Sequence, residues 1–363
     1  RFTDASVRLA GPVTRLPGGA LSLTLLVELR RESVPSERLD VSVVPLDVYT
    51  PHRGQRVLSG YAEARAPILP IDGTSSPLRG LELQVAVRFD RSSATLPEVA
   101  DPFSKTPPLT SIERDAFMFT AGARIFPLQN IMARGSFATG TVTPEFSRFQ
   151  TFEQTYTNTS LGVRDPKRGN RLVGSDGSFL HQSNGSRDIR QELGSTLSAG
   201  LVFNPEGMRG PRISIDYSRI SIRRGIESFF LTNQQLIDFE ASFPDRVIRA
   251  SLSDPDRALG YSGGRILRLD ARAGNSGQTV IDVVDFQLDW PMTEVLGGKF
   301  TPYARITWQP SVRSRYYLRP PATGYDPTPS WIERVGSFDG PLAWRGTGGI
   351  SWQRDRTTLG INV

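Results

Sequence analysis

The chain of 363 residues contains no cysteine and only two histidines, His52 and His181. The lack of cysteine excludes disulfides, thiolate zinc sites and cysteine nucleophiles. The two histidines are far apart in the sequence and lie beside residues typical of loops, so we expect no histidine-based metal or catalytic site. No segment approaches the roughly 18 consecutive apolar residues that a membrane-spanning helix needs. These absences argue against thiol enzymes, metalloenzymes and helical membrane proteins.

Catalytic motifs are also missing. No GxSxG, GxxxxGK[ST], HExxH or GxGxxG segment occurs in a context that would support its chemistry. The net charge of +6 arises from 43 Lys and Arg residues scattered among 37 Asp and Glu residues, without a long basic run. Such mixed charge is typical of solvated loops and polar strand faces, and it does not favour nucleic acid as a partner. We therefore expect no enzyme activity, no cofactor and no resident metal.

What the chain does contain is long alternation of apolar and polar residues, in segments 20–31, 80–90, 192–203 and 342–353. In the first of these, the odd positions from 21 to 29 are Leu or Val, and the even ones are polar except for Leu26. A period of two is the side-chain period of a β-strand. Soluble strands are usually about five or six residues long, whereas a tilted strand that crosses a bilayer needs about 9–11. The pattern predicts strands with lipid on one side and water on the other, although a soluble all-β binding module remains an alternative.

Alternation and turn signals together predict about twelve strands. They lie near 2–10, 20–31, 55–67, 80–90, 116–126, 130–138, 190–204, 211–224, 280–290, 299–309, 341–354 and 357–363. Short connections alternate with long ones, and the long ones cover about 32–54, 91–115, 139–189, 225–279 and 310–340. This alternation is typical of an up-and-down antiparallel transmembrane β-barrel with short turns on one side and long extracellular loops on the other.

The segment 266–274 also alternates, but a spanning strand there would break this order of connections. We therefore place it within the loop 225–279, as a strand above the membrane. The same loop contains one predicted helix, capped by Thr232, with an apolar stripe of Leu236, Ile237 and Phe243.

Large aromatic side chains lie near predicted strand ends, where a barrel would place its two interfacial girdles. They are Phe89, Phe203, Trp290, Trp308, Trp344 and Trp352. Packing in the core of a soluble sandwich is the alternative interpretation.

Several segments resemble, in the same order along the chain, successive barrel segments of one family. They are LPGGALSLTLLVELRRES (16–33), RVLSGYAEARAPIL (56–69), LRGLELQVAVRFD (78–90), IMARGSFATGTVTPEF (131–146), NGSRDIRQELGSTLSAGLVFNPE (184–206), RISIDYSRISIRRGI (212–226), VVDFQLDW (283–290) and PLAWRGTGGISW (341–352). The family is the TonB-dependent outer-membrane receptors, in their large proteobacterial branch. The family pattern is broken at Thr141, Val142, Gln191 and Val284, which indicates a divergent member.

The resemblance implies a 22-stranded barrel with an N-terminal plug. About twelve strands are present in this sequence, so we interpret residues 1–363 as part of one barrel domain and expect the plug and the closing strands to lie outside the chain. An open sheet leaves unpaired edges in lipid, so we do not expect this piece to function alone.

The implied function is import of a scarce solute such as a ferric siderophore, a cobalamin-like molecule or a carbohydrate across the outer membrane of a Gram-negative bacterium. The implied partners are that small molecule, the lipid bilayer and the inner-membrane TonB complex, reached through the absent plug. A passive porin is the alternative. Aromatic and arginine side chains in the long loops are candidate substrate contacts through cation–π and charge interactions. They are Tyr261, Arg265, Tyr316, Tyr317, Arg319 and Trp331.

Overall fold

The computed structural model describes residues 1–39, 48–71, 79–98, 105–157, 161–205, 210–227, 231–316 and 330–363. These residues form strands β1 Phe2–Leu16, β2 Gly19–Val34, β3 Glu37–Leu39, β4 Val48–Thr50, β5 Arg53–Leu69, β6 Leu81–Pro97, β7 Leu109–Leu128, β8 Ile131–Val142, β9 Thr151–Tyr156, β10 Arg164–Asp165, β11 Arg171–Leu172, β12 Phe179–Asn184, β13 Glu192–Phe203, β14 Arg212–Glu227, β15 Val247–Arg249, β16 Ile266–Asp270, β17 Gly274–Asp289, β18 Met292–Val295, β19 Gly298–Tyr316, β20 Ile332–Glu333, β21 Trp344–Arg354 and β22 Thr357–Asn362. Helices are α1 Phe146–Phe149, α2 Asn233–Asp238 and α3 Asp254–Ala258, with 3₁₀ turns at Pro166–Arg168 and Glu240–Ser242.

Twelve long strands form one antiparallel sheet, which we call the wall. Its order is β1-β2-β5-β6-β7-β8-β13-β14-β17-β19-β21-β22, so each strand pairs with the next wall strand along the chain. The short strands β18 and β20 add to β19. The sheet is open, with β1 and β22 at its edges. The prediction of about twelve spanning-length antiparallel strands is confirmed, and every predicted strand corresponds to one strand of the wall.

The two faces of the wall differ in chemistry. The odd-numbered side chains of β2 and of β6 lie on the same face of the sheet. Leu25 of β2 is 42% exposed there, and Val85 of β6 is 52% exposed. We call this the apolar face. The opposite polar face carries ion pairs, such as Glu82 with Arg65 at 2.7 Å. Period-two alternation causes this separation, because successive side chains of a strand point to opposite sides. None of the helices in the described residues is long and apolar enough to span a bilayer.

The predicted girdle aromatics divide into two groups. Phe89, Phe203, Trp308 and Trp344 are exposed, while Trp290 and Trp352 are half-buried. The rings of Trp308 and Trp344 stack, with centroids 5.4 Å apart. Trp352 donates its indole N–H to the carbonyl of Val295 at the short turn.

The wall strands run further than the sequence predicted. β1 continues to Leu16, β6 ends at Pro97 and β7 begins at Leu109, so much of the predicted loop 91–115 is strand. β19 likewise continues to Tyr316, beyond the predicted end at 309. The prediction failed there because the extensions hold few apolar residues between polar ones, as in the segment from Arg91 to Ser93, and so give only weak apolar periodicity.

The two longest connections, between β8 and β13 and between β14 and β17, fold together into a unit that we call the loop subdomain. Its sheet has the order β15-β16-β12-β9, and β12 pairs with β16 in parallel. The segment 266–270 therefore belongs to the loop, as predicted. The predicted helix is α2, where Thr232 and Gln235 form a capping box.

The loop subdomain has an ordinary buried core. Leu236 and Leu269 are 0% exposed, and Phe179 is 1% exposed. They pack with Val163, Val173, Leu231, Ile237, Phe243, Val247 and Ile266. This core contains residues from both long connections, so each connection depends on the other for its fold.

Candidate functional site

Arg249 is the centre of a buried ion network in the loop subdomain. Its guanidinium donates to Asp165 at 2.6 and 2.9 Å and to Glu240 at 2.8–3.0 Å. Burial opposes the charge on Arg249, but the hydrogen bonds to the two carboxylates outweigh it and raise the pKa of the guanidinium. Burial likewise raises the pKa of Glu240, but hydrogen bonds from Arg249 and Lys167 outweigh it, and the net shift is downward. The network joins β15 to both 3₁₀ turns.

A second network surrounds Arg168, which is buried. Its guanidinium donates to Asp176 at 2.6 Å and to Asp256 at 2.8 Å, and it lies 4.6 Å from the ring centroid of Tyr261. The hydrogen bond from Arg168, followed by that from Ser253, lowers the pKa of Asp256 to about 2. Tyr261 thus contributes to the stability of the subdomain through a cation–π contact.

The loop subdomain is attached to the wall by a small apolar cluster. It consists of Ala94, Leu96, Ile112, Phe149, Ile189 and Ala273. Beside it, the Arg114 guanidinium of β7 donates to the backbone carbonyls of Arg187 at 2.7 Å and Ile189 at 3.1 Å. The ends of β6 and β7 that extend toward the long connections therefore contact the subdomain directly.

A pocket of about 400 Å³ lies where the subdomain meets the start of β17. Its charged lining includes Arg246, Arg268, Arg272, Asp188 and Asp270. Burial raises the pKa of Asp270, but hydrogen bonds from the side chain and backbone of Arg272 outweigh it, so the net shift of this pKa is downward. Within the described residues, Nε of Arg268 is buried without a hydrogen-bond partner. The pocket therefore offers a guanidinium donor to an anionic group.

A second cavity, of about 490 Å³, lies on the polar face of the wall. Arg134 of β8 and Asp216 of β14 form a bidentate pair at 2.8 and 2.9 Å. They reach each other across β13, where Gly200 is the register partner of both. A Cβ at Gly200 would lie 1.9 Å from Oδ1 of Asp216, so only glycine leaves room for the pair.

The six candidate contacts predicted from the sequence do not form one cluster. Tyr317 and Arg319 lie outside the described residues. Arg265 donates to the carbonyl of Ser178 at 3.0 Å within the loop subdomain, near Tyr261 in sequence. Tyr316 ends β19, and the ring of Trp331 lies against a neighbouring arginine, Arg315, at 4.5 Å. Among the described candidates, no hydrogen bond, ion pair or ring contact joins one to another, and their role in substrate binding stays a prediction.

Catalytic geometry is not evident in the part of the chain that the structure describes. Ser262 is the serine of the GxSxG segment GYSGG (260–264), and it lies in a Gly-rich turn after α3 and not at a strand-to-helix turn. Nε2 of His181 lies 3.1 Å from the amide oxygen of Asn233. No hydrogen bond joins a serine to a histidine in the described ranges, and no three potential metal-ligating His, Cys, Asp or Glu side chains come together there.

No known family profile matches the sequence, and no curated protein matches it. Solved structures do match. The hemophore receptor HasR of Serratia marcescens, solved with its hemophore and heme, aligns with a TM-score of 0.57 and 12% identity, over 99% of this chain and 50% of the receptor. The copper transporter OprC gives 0.49 with 11% identity over 99% and 42% of the two chains. The siderophore receptor PirA of Acinetobacter baumannii gives 0.43 with 11% identity over 99% and 58%.

The TM-scores of OprC and PirA lie below 0.5, so the fold assignment rests on the hemophore receptor. This chain spans only about half of the length of these solved receptors. The low identity limits the comparison to architecture. Together with the twelve-stranded antiparallel wall, it shows that the chain has the fold of the β-barrel of TonB-dependent receptors.

Proposed function

We propose that the chain forms part of the barrel wall, together with its loops, of an outer-membrane receptor that imports a scarce solute by energised transport. The observation that carries this proposal is the wall itself, which has an uncovered apolar face, an ion-paired polar face and the fold of a hemophore receptor. An apolar face of this extent is compatible with a bilayer and not with water. In this proposal the loop subdomain lies outside the cell.

The substrate class is a small anionic or aromatic chelate, of which a ferric siderophore is one kind. The pocket beside Arg268 supports it, because Nε of this guanidinium has no hydrogen-bond partner among the described residues and an arginine can bind an anion. Tyr261 and Arg265 remain candidate contacts on the same subdomain, with Tyr316 on the polar face. We propose that the inner-membrane TonB complex supplies the energy.

A passive porin is the second candidate, because it shares the two-faced wall. The loop subdomain argues against it. A folded unit with its own core, Phe179 among its residues, is suited to selective recognition more than to unrestricted diffusion.

Deletion of the gene in its own bacterium tests the proposal. We expect reduced growth under limitation for one solute class, with iron and carbon tested separately, and restoration by the intact gene. Removal of the inner-membrane TonB complex should abolish the same uptake. Uptake that continues without this complex would favour the porin, and normal growth of the deletion strain under every limitation would contradict the receptor.

Arg268→Gln in the intact gene tests the pocket. We expect weaker uptake at low solute concentration with unchanged protein level in the outer membrane. Arg257→Gln is the matched control, because Arg257 of α3 is exposed and does not line the pocket. Equal uptake by both variants would exclude the pocket and leave the receptor proposal open.

A further inference from the structure

The pocket beside Arg268 is bounded by two parts of the chain. On the subdomain side its lining includes Arg268 and Asp270 of β16. The other part is the segment 185–191, which joins β12 of the loop subdomain to β13 of the wall and which we call the connecting segment. Three of its residues line the pocket, namely Ser186, Asp188 and Ile189. The shape of the pocket therefore depends on where the connecting segment lies.

The connecting segment forms a tight turn. The N–H of Ile189 donates to the carbonyl of Ser186, and the N–H of Asp188 donates to the hydroxyl of Ser186, both at 3.2 Å. Ser186 and Ile189 are only 4% and 1% exposed. The bonds within the turn fix its shape, but they do not fix its position relative to Arg268.

Arg114 of the wall strand β7 holds this turn. Its guanidinium donates to the carbonyl of Arg187 at 2.7 Å and to that of Ile189 at 3.1 Å. The same guanidinium donates to the carbonyl of Glu113 at 2.9 Å and lies 5.9 Å from the ring centroid of Phe149. These contacts hold the planar group in one orientation, so its two bonds to the turn define a position as well as an attraction.

Asn275 of β17 holds the end of the connecting segment. Its side-chain amide accepts from the N–H of Arg190 and donates to the carbonyl of Arg190, both at 2.7 Å. It also donates to the carbonyl of Arg224 at 2.7 Å, where β14 is irregular and Arg224 has a φ of 58°. Asn275 lines the pocket itself, whereas Arg114 does not. Arg114 is therefore the wall residue whose influence on a bound ligand would be indirect.

The position of the turn matters for the strength of binding. Nε of Arg268 is buried, and charge interactions in an enclosed site are stronger than those in open water, which screens them. If the turn moved away from the pocket, water would reach this guanidinium more freely. A residue that holds the turn in place thus influences how tightly Arg268 binds an anion.

We propose that Arg114 is a positioning residue of the pocket. It holds the turn in place, and it thereby raises the affinity of Arg268 for an anionic ligand that Arg114 does not contact. This inference rests on the proposed binding of the solute beside Arg268. It makes the affinity of a site on the loop subdomain depend on a side chain of the wall.

Distances between two spin labels test whether Arg114 fixes the turn. The chain contains no cysteine, so Arg190→Cys and Asp245→Cys provide two unique attachment sites. Both positions are exposed, one on the connecting segment and one on the subdomain side of the pocket. We expect a narrow distance distribution with Arg114 present and a broader one when Arg114→Gln is added. An unchanged distribution overturns the proposal.

Titration of the intact protein in detergent with inorganic phosphate tests the affinity. Arg114→Gln should weaken phosphate binding by about threefold or more. Arg114→Lys should give an intermediate affinity, because lysine can donate to one carbonyl but lacks the planar fork that reaches both. A purely structural role would lower the stability of the subdomain without changing the affinity of the folded protein.

The matched control is Arg91→Gln. Arg91 lies on the neighbouring strand β6, is exposed and pairs with Glu113. Its removal should leave both the label distances and the phosphate affinity unchanged. Equal affinities in Arg114→Gln and Arg91→Gln contradict the proposal, even where the label distances differ.

If Arg114→Gln does not fold, Arg114→Lys gives the decision, and label distances and affinity equal to those of the native protein would then reject the proposal. Arg268→Gln separates this inference from the proposed function. Phosphate binding that is lost in Arg268→Gln but unchanged in Arg114→Gln rejects the positioning role alone. Absence of phosphate binding in the native protein rejects the anion pocket, and the positioning role with it.

Discussion

The wall exposes apolar side chains on one face, whereas the loop subdomain buries its apolar side chains in a core. In the wall, Leu197 is 50% exposed on a face that no described residue covers. In the subdomain, Leu236 and Leu269 are fully buried. Leucine is therefore exposed in the wall and buried in the subdomain, which indicates different surroundings for the two regions. The uncovered apolar face of the wall supports the membrane location proposed above, while the subdomain has the buried core typical of a globular protein.

Ion pairs follow the same contrast. Glu82 and Arg65 pair on the polar face, where the arginine side chain is 54% exposed. Asp165 and Arg249 pair in the subdomain with exposed fractions of only 4% and 11%. Exposed pairs contribute little to stability, whereas removal of one partner from a buried pair is costly.

The largest effect is expected from Phe179→Ala in the subdomain core. Loss of a buried aromatic ring should destabilise the subdomain by about 3–5 kcal/mol. Hydrogen exchange of the β12 and β16 amides in detergent measures this. Phe117→Ala on the apolar face of β7 is the control, with an expected change within about 0.5 kcal/mol in wall amides. Equal losses of stability in both variants would contradict the expectation that the subdomain depends on a buried aromatic core and the apolar face of the wall does not.

Arg249→Met should cost about 3–5 kcal/mol, because Asp165 and Glu240 would be left buried without their cation. Thermal unfolding followed by limited proteolysis of residues 231–273 measures the loss. Adding Asp165→Asn and Glu240→Gln to the same variant should restore part of the stability. No recovery in the combined variant would mean that Arg249 acts through packing and not through charge.

Leu197→Arg tests the lipid-facing side of the wall. An arginine on this face near the middle of a bilayer costs about 2–4 kcal/mol, and folding into phospholipid vesicles should weaken by that amount. Thr196→Arg is the control, because the adjacent residue lies on the polar face. If both arginines are tolerated equally, the wall is not surrounded by lipid at this height.

Thr232→Ala removes the capping box of α2 and should destabilise this helix by about 1 kcal/mol. Faster hydrogen exchange in α2, without change in β16, is the expected result. Thr232→Ser keeps the hydroxyl and should behave as the native protein. A serine variant as unstable as the alanine variant would show that the methyl group matters more than the cap.

The smallest expected effect is a loss of subdomain stability at acid pH. The pKa of Asp256 is lowered in the folded state from about 3.8 to about 2, so its pair with Arg168 adds stability above pH 4 that is lost as the pH falls through about 2. Proteolysis of the subdomain should accelerate over this range, and less so in Asp256→Asn. An identical acid response in the variant would assign the effect to other carboxyls.

Local signals in the sequence predicted the wall well, because alternation and connection length are visible within single segments. The N-terminal cap of α2 at Thr232 was recognisable for the same reason. The subdomain sheet was not predictable, since β12 and β16 are each six residues or fewer and their paired residues are 88 positions apart in the chain. Arg249 gave no signal either, because an arginine in a polar loop looks the same whether it is solvated or buried between Asp165 and Glu240.

The absent side chain at Gly200 has a mechanical consequence. Arg134 and Asp216 belong to strands that are not neighbours, and their contact over β13 ties β8 to β14 independently of the backbone ladder. A force that pulls β8 and β14 apart would therefore be resisted in two ways, by the backbone hydrogen bonds through β13 and by the ion pair between Arg134 and Asp216. A single methyl group at Gly200 would remove the ion pair and leave the backbone hydrogen bonds intact.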